Sequence, residues 1–143
     1  MKFINEIFID RSLEEVFLFA GEVSNFPLWN YAVIGTEALT PELTGKGAIY
    51  KQQRRFLGQT LEDTFILTEY IPNRALTLKS IEAEYPFIVS YSFKPSGNGT
   101  VIVNSFELHG KLADGVPGIL LRNSVKAAVA KNLQKLKELI EDL

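Results

Sequence analysis

The sequence predicts an α+β fold, a curved antiparallel sheet of about seven strands wrapped around one long C-terminal helix with an internal cavity between them. Three observations lead there. Apolar and polar residues alternate in short runs, the pattern of strands buried on one face. The runs are joined by short connections rich in Gly, Pro and Asn, which leave no room for parallel crossovers and make neighbouring strands antiparallel. The last apolar stretch switches to helical spacing. One helix laid across a sheet leaves a hollow, and a hollow is a binding site.

The first strand runs from Lys2 to Ile9 and ends at Asp10-Arg11. Ser12-Leu13-Glu14-Glu15 has the form of a capping box, the Ser12 hydroxyl accepting from the Glu15 backbone N–H while the Glu15 carboxylate reaches back. A short helix follows, with Leu13, Val16, Phe17 and Ala20 on its apolar side and Gly21 as terminator, and Val23 to Trp29 add a turn around Pro27. Further strands are predicted near Tyr31 to Leu39, Ala48 to Leu57, Thr60 to Ile71, Ala75 to Ile81, Phe87 to Lys94 and Thr100 to His109. From about Val116 to Leu143 a helix places Leu121, Val125, Ala128, Val129, Leu136, Leu139, Ile140 and Leu143 on one face. At about 1.5 Å per residue it is roughly 42 Å long, so it lies obliquely across the strands or the sheet curls round it. The Lys111 to Gly118 segment, with Gly115, Pro117 and Gly118, is expected to form a lip over the cavity.

Alternation and turn positions together set the register. Phe87, Val89, Tyr91 and Phe93 share a face, and a turn at Gly97-Asn98 sets Tyr91 opposite Asn104. A Pro72-Asn73 turn pairs Leu78 with Leu67 and Ser80 with Phe65. A Gly58-Gln59 turn then sets Tyr50 opposite Leu67, Gln52 opposite Phe65, Arg54 opposite Asp63 and Phe56 opposite Leu61. One inner face thereby gathers Tyr50, Gln52, Arg54, Asp63, Tyr91 and Asn104 among apolar neighbours.

Composition bounds the function. An apolar fraction of 46% with 22% charged residues fits one globular domain spanning residues 1–143. A formal net charge of -2 and the lack of any Lys/Arg block argue against nucleic acid as a partner. No apolar run is long enough to span a bilayer, and Met1 to Glu6 alternate in polarity where a signal peptide would be continuously apolar. A cytoplasmic location without stable membrane insertion is expected. The absence of cysteine removes disulfides, thiolate nucleophiles and zinc–thiolate sites. His109, the single histidine, alternates outward with Glu107, so no histidine-based metal centre is expected within one chain. There is no Ser-His-Asp arrangement, phosphate loop or dinucleotide fingerprint.

The order of strand, two short helices, six-stranded meander and long terminal helix resembles the helix-grip plan of the START-like superfamily, also called SRPBCC. Ile7 to Phe17 is similar to that superfamily's opening strand and first helix, and Asn25-Phe26-Pro27-Leu28-Trp29 to its second helix and following aromatic. Glu69 to Leu76 resembles its mid-sheet turn, Gly97-Asn98-Gly99-Thr100 its last hairpin and Asn132 to Leu136 its terminal helix. The resemblance covers essentially the whole chain and is nearest to the polyketide cyclase/dehydrase branch. It implies a shared hollow more than a shared reaction, since members include cyclases and carriers of hydrophobic ligands.

Two functions stay open on this reading. The leading one is binding of a small hydrophobic or amphipathic ligand, lipid- or polyketide-like, without a cofactor. The other is a cofactor-independent cyclase or dehydratase in which Asp63 or Tyr91 moves a proton and Asn104 or Arg54 stabilises an enolate. Trp29, Tyr50, Gln52, Arg54, Asp63, Phe65, Tyr91, Phe93, Asn104, Phe106, Leu121, Val125 and Asn132 are the candidate ligand-binding residues. Arg54 and Asp63 form either a buried ion pair or a solvated pair at the sheet rim. Asn132, inside the apolar stripe of the helix, needs a partner, either a ligand or nearby backbone. Arg122 leans over the cavity mouth or snorkels along the surface. A protein-interaction module would require an exposed apolar patch that the pattern does not place.

Overall fold

The computed structural model describes residues 1–110 and 118–143. Among these residues the strands form one antiparallel sheet in the order β1-β7-β6-β5-β4-β3-β2. They are β1 (Lys2–Ile9), β2 (Val33–Ala38), β3 (Ile49–Phe56), β4 (Gln59–Ile71), β5 (Ala75–Glu82), β6 (Phe87–Ser96) and β7 (Gly99–Leu108). Helices α1 (Leu13–Ala20) and α2 (Phe26–Trp29) lie between β1 and β2, and α3 (Gly118–Glu141) closes the chain. This is the helix-grip architecture. The expected lip at Lys111 to Gly118 falls on residues 111–117, outside those described, and Gly118 opens α3.

Local chemistry accounts for the elements. Ser12 accepts from the Glu15 backbone N–H at 3.3 Å and its hydroxyl donates to the Glu15 carboxylate at 3.0 Å, so the cap pairs side chain with side chain where the reciprocal bond to the Ser12 backbone was expected. Strand β7 needs glycine at its start: a Cβ on Gly99 would lie 2.5 Å from the Phe8 ring and 2.6 Å from the Ile9 carbonyl. The β6–β7 turn has Gly97 at φ 58°, and β6 pairs with β7 as Phe87↔Leu108, Val89↔Phe106, Tyr91↔Asn104 and Phe93↔Ile102. These are the expected partners.

Two turns differ from expectation. The loop after β4 contains Pro72, Asn73 and Arg74, one residue more than a two-residue turn, with Asn73 at φ 63°. A bulge between Leu67 and Glu69 takes up the extra residue, so Leu67↔Leu78 and Phe65↔Ser80 still pair as expected. The β3–β4 turn is Leu57-Gly58, both at positive φ (51° and 75°), the form that follows the twist of a two-residue hairpin. It lies one residue earlier than Gly58-Gln59, so Tyr50 pairs with Phe65, Gln52 with Asp63, Arg54 with Leu61 and Phe56 with Gln59. Each partner moves by two residues, an even step that preserves the face. Arg54 and Asp63 both point inward and are buried.

Helix α3 covers this inner face in two different ways. Its C-terminal half packs tightly, with Leu133, Leu136 and Ile140 buried in the core beside Phe17, Phe65 and Ile102. Leu143, expected on this face, follows the helix end and is exposed, whereas Leu133 belongs to the face. Polar side chains fasten the helix along the edge strand β1. Arg122 Nε donates to Lys2 O at 2.8 Å, Lys137 Nζ to Phe8 O at 2.8 Å, and Asn5 Nδ2 to Lys126 O at 3.1 Å. Arg122 therefore serves the helix–sheet seam. Glu141 closes the far end, accepting from Asp10 N at 2.8 Å and from Lys137 at 2.6 Å.

Deleting the chain from Asn123 onward removes Leu133, Leu136 and Ile140 together and uncovers the β1 edge. The truncated protein is expected to be insoluble or molten, and retained cooperative unfolding would contradict the helix-grip packing. Glu141 supplies a pH-dependent term. The Asp10 backbone hydrogen bond, then Lys137, holds its carboxyl below the ordinary value of 4.5. Its contribution is present above the unfolded-state pKa and is lost as pH falls through the lower folded-state value. Glu141→Gln should lower Tm at neutral pH, and melts of the two proteins should converge in acid.

Candidate functional site

Where the N-terminal half of α3 crosses the sheet, a cavity of about 240 Å³ remains. The reason lies in side-chain size. Ser124, Val125 and Ala128 face the sheet here, where the other half of the helix presents leucine and isoleucine. Ala128 is exposed although it points inward, because what it faces is hollow. The opposite walls come from Phe26 and Trp29 of α2, Arg54 and Phe56 of β3, Leu78 of β5, Phe87, Val89 and Tyr91 of β6, and Phe106 of β7. Leu57 of the turn also borders it, as do Asn30, Ala32, Val33, Val129 and the exposed Arg55.

The polar groups in this wall are few. Arg54 is buried and its Nε–H donates to Asp63 Oδ2 in an ion pair. Its guanidinium carbon lies 5.3 Å from the centre of the Phe56 ring and 5.2 Å from that of Phe87, both within cation–π range. Asp63 sits behind Arg54, 1% exposed, and does not line the cavity. Its Oδ1 has no hydrogen-bond partner among the described residues. Of the two possibilities for this pair, the structure shows the buried one.

Tyr91 lines the cavity edge-on to Trp29, with ring centres 6.0 Å apart. Burial pushes its phenol well above the usual tyrosine value, which favours the neutral form. Trp29 Nε1 is buried without a partner among the described residues. Asn132 is engaged structurally: Nδ2 donates to Asn30 Oδ1 and Oδ1 accepts from Tyr31 N, each at 3.1 Å, tying α3 to the chain after α2. His109 pairs with Glu107 at 3.2 Å on the exposed outer side.

Of the candidate residues, Trp29, Gln52, Arg54, Tyr91, Phe106, Leu121, Val125 and Asn132 meet at the cavity. Tyr50, Phe65, Phe93, Asp63 and Asn104 lie elsewhere in the interior. Tyr50 stacks on Phe65 at 5.6 Å, Phe93 packs edge-on against Phe17 beneath α1 at 5.0 Å, and Asn104 Nδ2 donates to Ser90 O at 3.3 Å. Phe26, Phe56, Leu78, Phe87, Val89 and Ser124 also line the cavity and were not among the candidates. All but Ser124 are apolar and read as core. Their signal was the same inner-face alternation, combined with small residues at positions 124 and 128 of the facing helix.

A family model described as polyketide cyclase/dehydrase and lipid transport matches residues 1–141. The chain belongs to this family. It is a START-like, SRPBCC protein, and solved structures of that fold superpose over nearly its whole length. A START superfamily protein from Mycobacterium smegmatis aligns with a TM-score of 0.82 at 14% identity, covering 99% of this chain and 97% of that one. A protein from Thermus thermophilus gives 0.75 at 19%, covering 99% and 95%. The di-domain ARO/CYC StfQ of the steffimycin biosynthetic pathway gives 0.75 at 15%, covering 99% of this chain and 50% of that one. At these identities the likeness is one of fold. A search of curated proteins finds no significant match. The polyketide cyclase/dehydrase family and its fold fit a hydrophobic ligand-binding or cyclase role.

The buried pair predicts a contrast between variants. Asp63→Ala strands a guanidinium in the interior and should cost about 3–5 kcal/mol in urea unfolding. Arg54→Met combined with Asp63→Leu removes both charges and should be neutral or stabilising. Equal loss in the single and double variants would show that the pair is not charge-coupled.

Proposed function

We propose that this protein binds a small hydrophobic or amphipathic molecule in the cavity between the sheet and α3. The observation that carries this reading is the wall itself. It is mostly aromatic and aliphatic, with Arg54, Tyr91 and Gln52 among its few polar groups and the exposed Arg55 beside them, and among the described residues it presents neither carboxylate nor imidazole. A proton-transfer enzyme needs a group that changes protonation near neutral pH within reach of the substrate. Asp63 is held behind Arg54, and burial keeps the Tyr91 phenol protonated. Hydrogen-bonding groups in an apolar hollow suffice to orient a ligand, and no cofactor is required.

A cyclase-type role is the second reading. It is favoured by Arg54 and Tyr91 both bordering the cavity, where they could donate to a developing enolate oxygen, and by the family description, which names catalysis beside transport.

A fluorescent hydrophobic dye should bind saturably to folded protein and be displaced by ligands that enter the cavity. Leu121→Trp, which enlarges a buried cavity-wall side chain, should weaken that binding while unfolding stays cooperative. No saturable binding to well-folded protein would count against the reading. Native mass spectrometry of freshly purified protein names any retained ligand, and its conversion to a new mass on incubation would favour the cyclase reading.

A further inference from the structure

The ion pair at the cavity defines the charge of what can enter. A lone arginine in an apolar pocket would be a receptor for carboxylates, since charge-assisted bonds to a guanidinium are the strong ones. Arg54 is not alone. Its Nε–H is committed to Asp63, and one Nη2–H makes a long 3.5 Å contact with Tyr85 O. Three of its five N–H groups have no partner among the described residues, and Arg54 itself borders the cavity. The buried pair therefore offers donors, yet its own net charge is zero, and Arg55, the other charged residue on the cavity wall, is exposed to solvent. A carboxylate docking on Arg54 would place a second negative charge on a guanidinium already balanced by Asp63, against a mostly apolar wall, which is costly. A neutral acceptor satisfies the same donors without that cost.

Size narrows the ligand further. A cavity of about 150 Å³ accommodates benzene. At about 240 Å³, this one encloses one ring or two fused rings. Phe56 and Phe87, which flank the guanidinium, present flat apolar surface beside the donors.

Building on the proposed ligand-binding role, we infer that the cavity takes a neutral molecule of one or two rings bearing a hydrogen-bond acceptor, such as a ketone, held on the free N–H groups of Arg54. Asp63, which does not touch the cavity, is the residue that sets this selectivity by neutralising Arg54. It is a positioning and charge-balancing residue.

The test is titration calorimetry of the whole chain with three probes that share one ring system. They are 2-acetylnaphthalene, which is neutral with an acceptor, 2-naphthoate, which is anionic, and 2-ethylnaphthalene, which has neither feature. Wild type should bind the ketone roughly tenfold or more tighter than either of the others. Asp63→Asn keeps the shape and uncovers the charge of Arg54, and it should turn the preference toward naphthoate by about the same factor. Should that variant fail to fold, Arg54→Met with Asp63→Leu decides. It should keep the hydrocarbon and lose the preference for the ketone. Naphthoate bound by wild type as tightly as the ketone overturns the inference and leaves the binding role intact. So does an Asp63→Asn protein that still prefers the ketone, or a double variant that does. Failure of all three probes to bind folded wild type overturns the binding role itself.

Discussion

One helix cannot cover seven strands. At about 4.8 Å between strands the sheet is roughly 29 Å across, while a helix with its side chains is about 10–12 Å wide. The apolar inner face must be buried all the same, and most of the architecture follows from that mismatch. Helix α3 lies along β1 at one edge, and α1 and α2 occupy part of the remaining face, with Phe17 against Phe93 and Trp29 against Tyr91. What the helices do not fill is the cavity. The position of the hollow follows from the side chains along α3, large in the C-terminal half and small at Ser124 and Ala128.

The same helix resolves a second problem. Strand β1 stands at the edge of the sheet, where unpaired carbonyls and amides invite pairing with another chain. Arg122 and Lys137 each donate to a carbonyl of that edge, at Lys2 and Phe8, and Glu141 accepts from Asp10 N just beyond it. These polar contacts are individually weak and partly exposed. Their value lies in register: they fix α3 along β1, so that its small residues stand over the hollow and its leucines over the core.

Much of this was legible in the sequence because a sheet with one buried face enforces a strict period of two. The Tyr91–Asn104 pairing followed from alternation and one glycine turn, and the inward direction of Arg54 and Asp63 survived even though their strand partners moved. The β3–β4 register was misplaced because the chain puts Leu57 in a left-handed conformation that leucine rarely adopts. No propensity argument selects that turn over one beginning at Gly58. The cavity wall was legible only in part. An apolar residue facing a hollow and one facing a core look alike in sequence, so Phe87, Val89 and Leu78 were indistinguishable from Phe65 and Leu67. The difference arises from the small side chains opposite them on α3, a relation between positions far apart in the chain.

The polar groups in the interior divide according to whether the protein itself satisfies them. Asn132 spends its amide on Asn30 and Tyr31 and holds α3 in place. Arg54 is satisfied on one side only, and its partner Asp63 keeps an oxygen without a partner among the described residues. A buried ion pair with spare hydrogen-bonding capacity is a poor way to stabilise a fold, since apolar residues of similar volume serve as well or better. Donors left free beside flat aromatic surface are, however, what a small polar–apolar ligand needs in order to be oriented without a titrating side chain. Under the proposed binding role, that combination sets the Arg54–Asp63 couple apart from the hydrogen bonds that only hold the helix to the sheet.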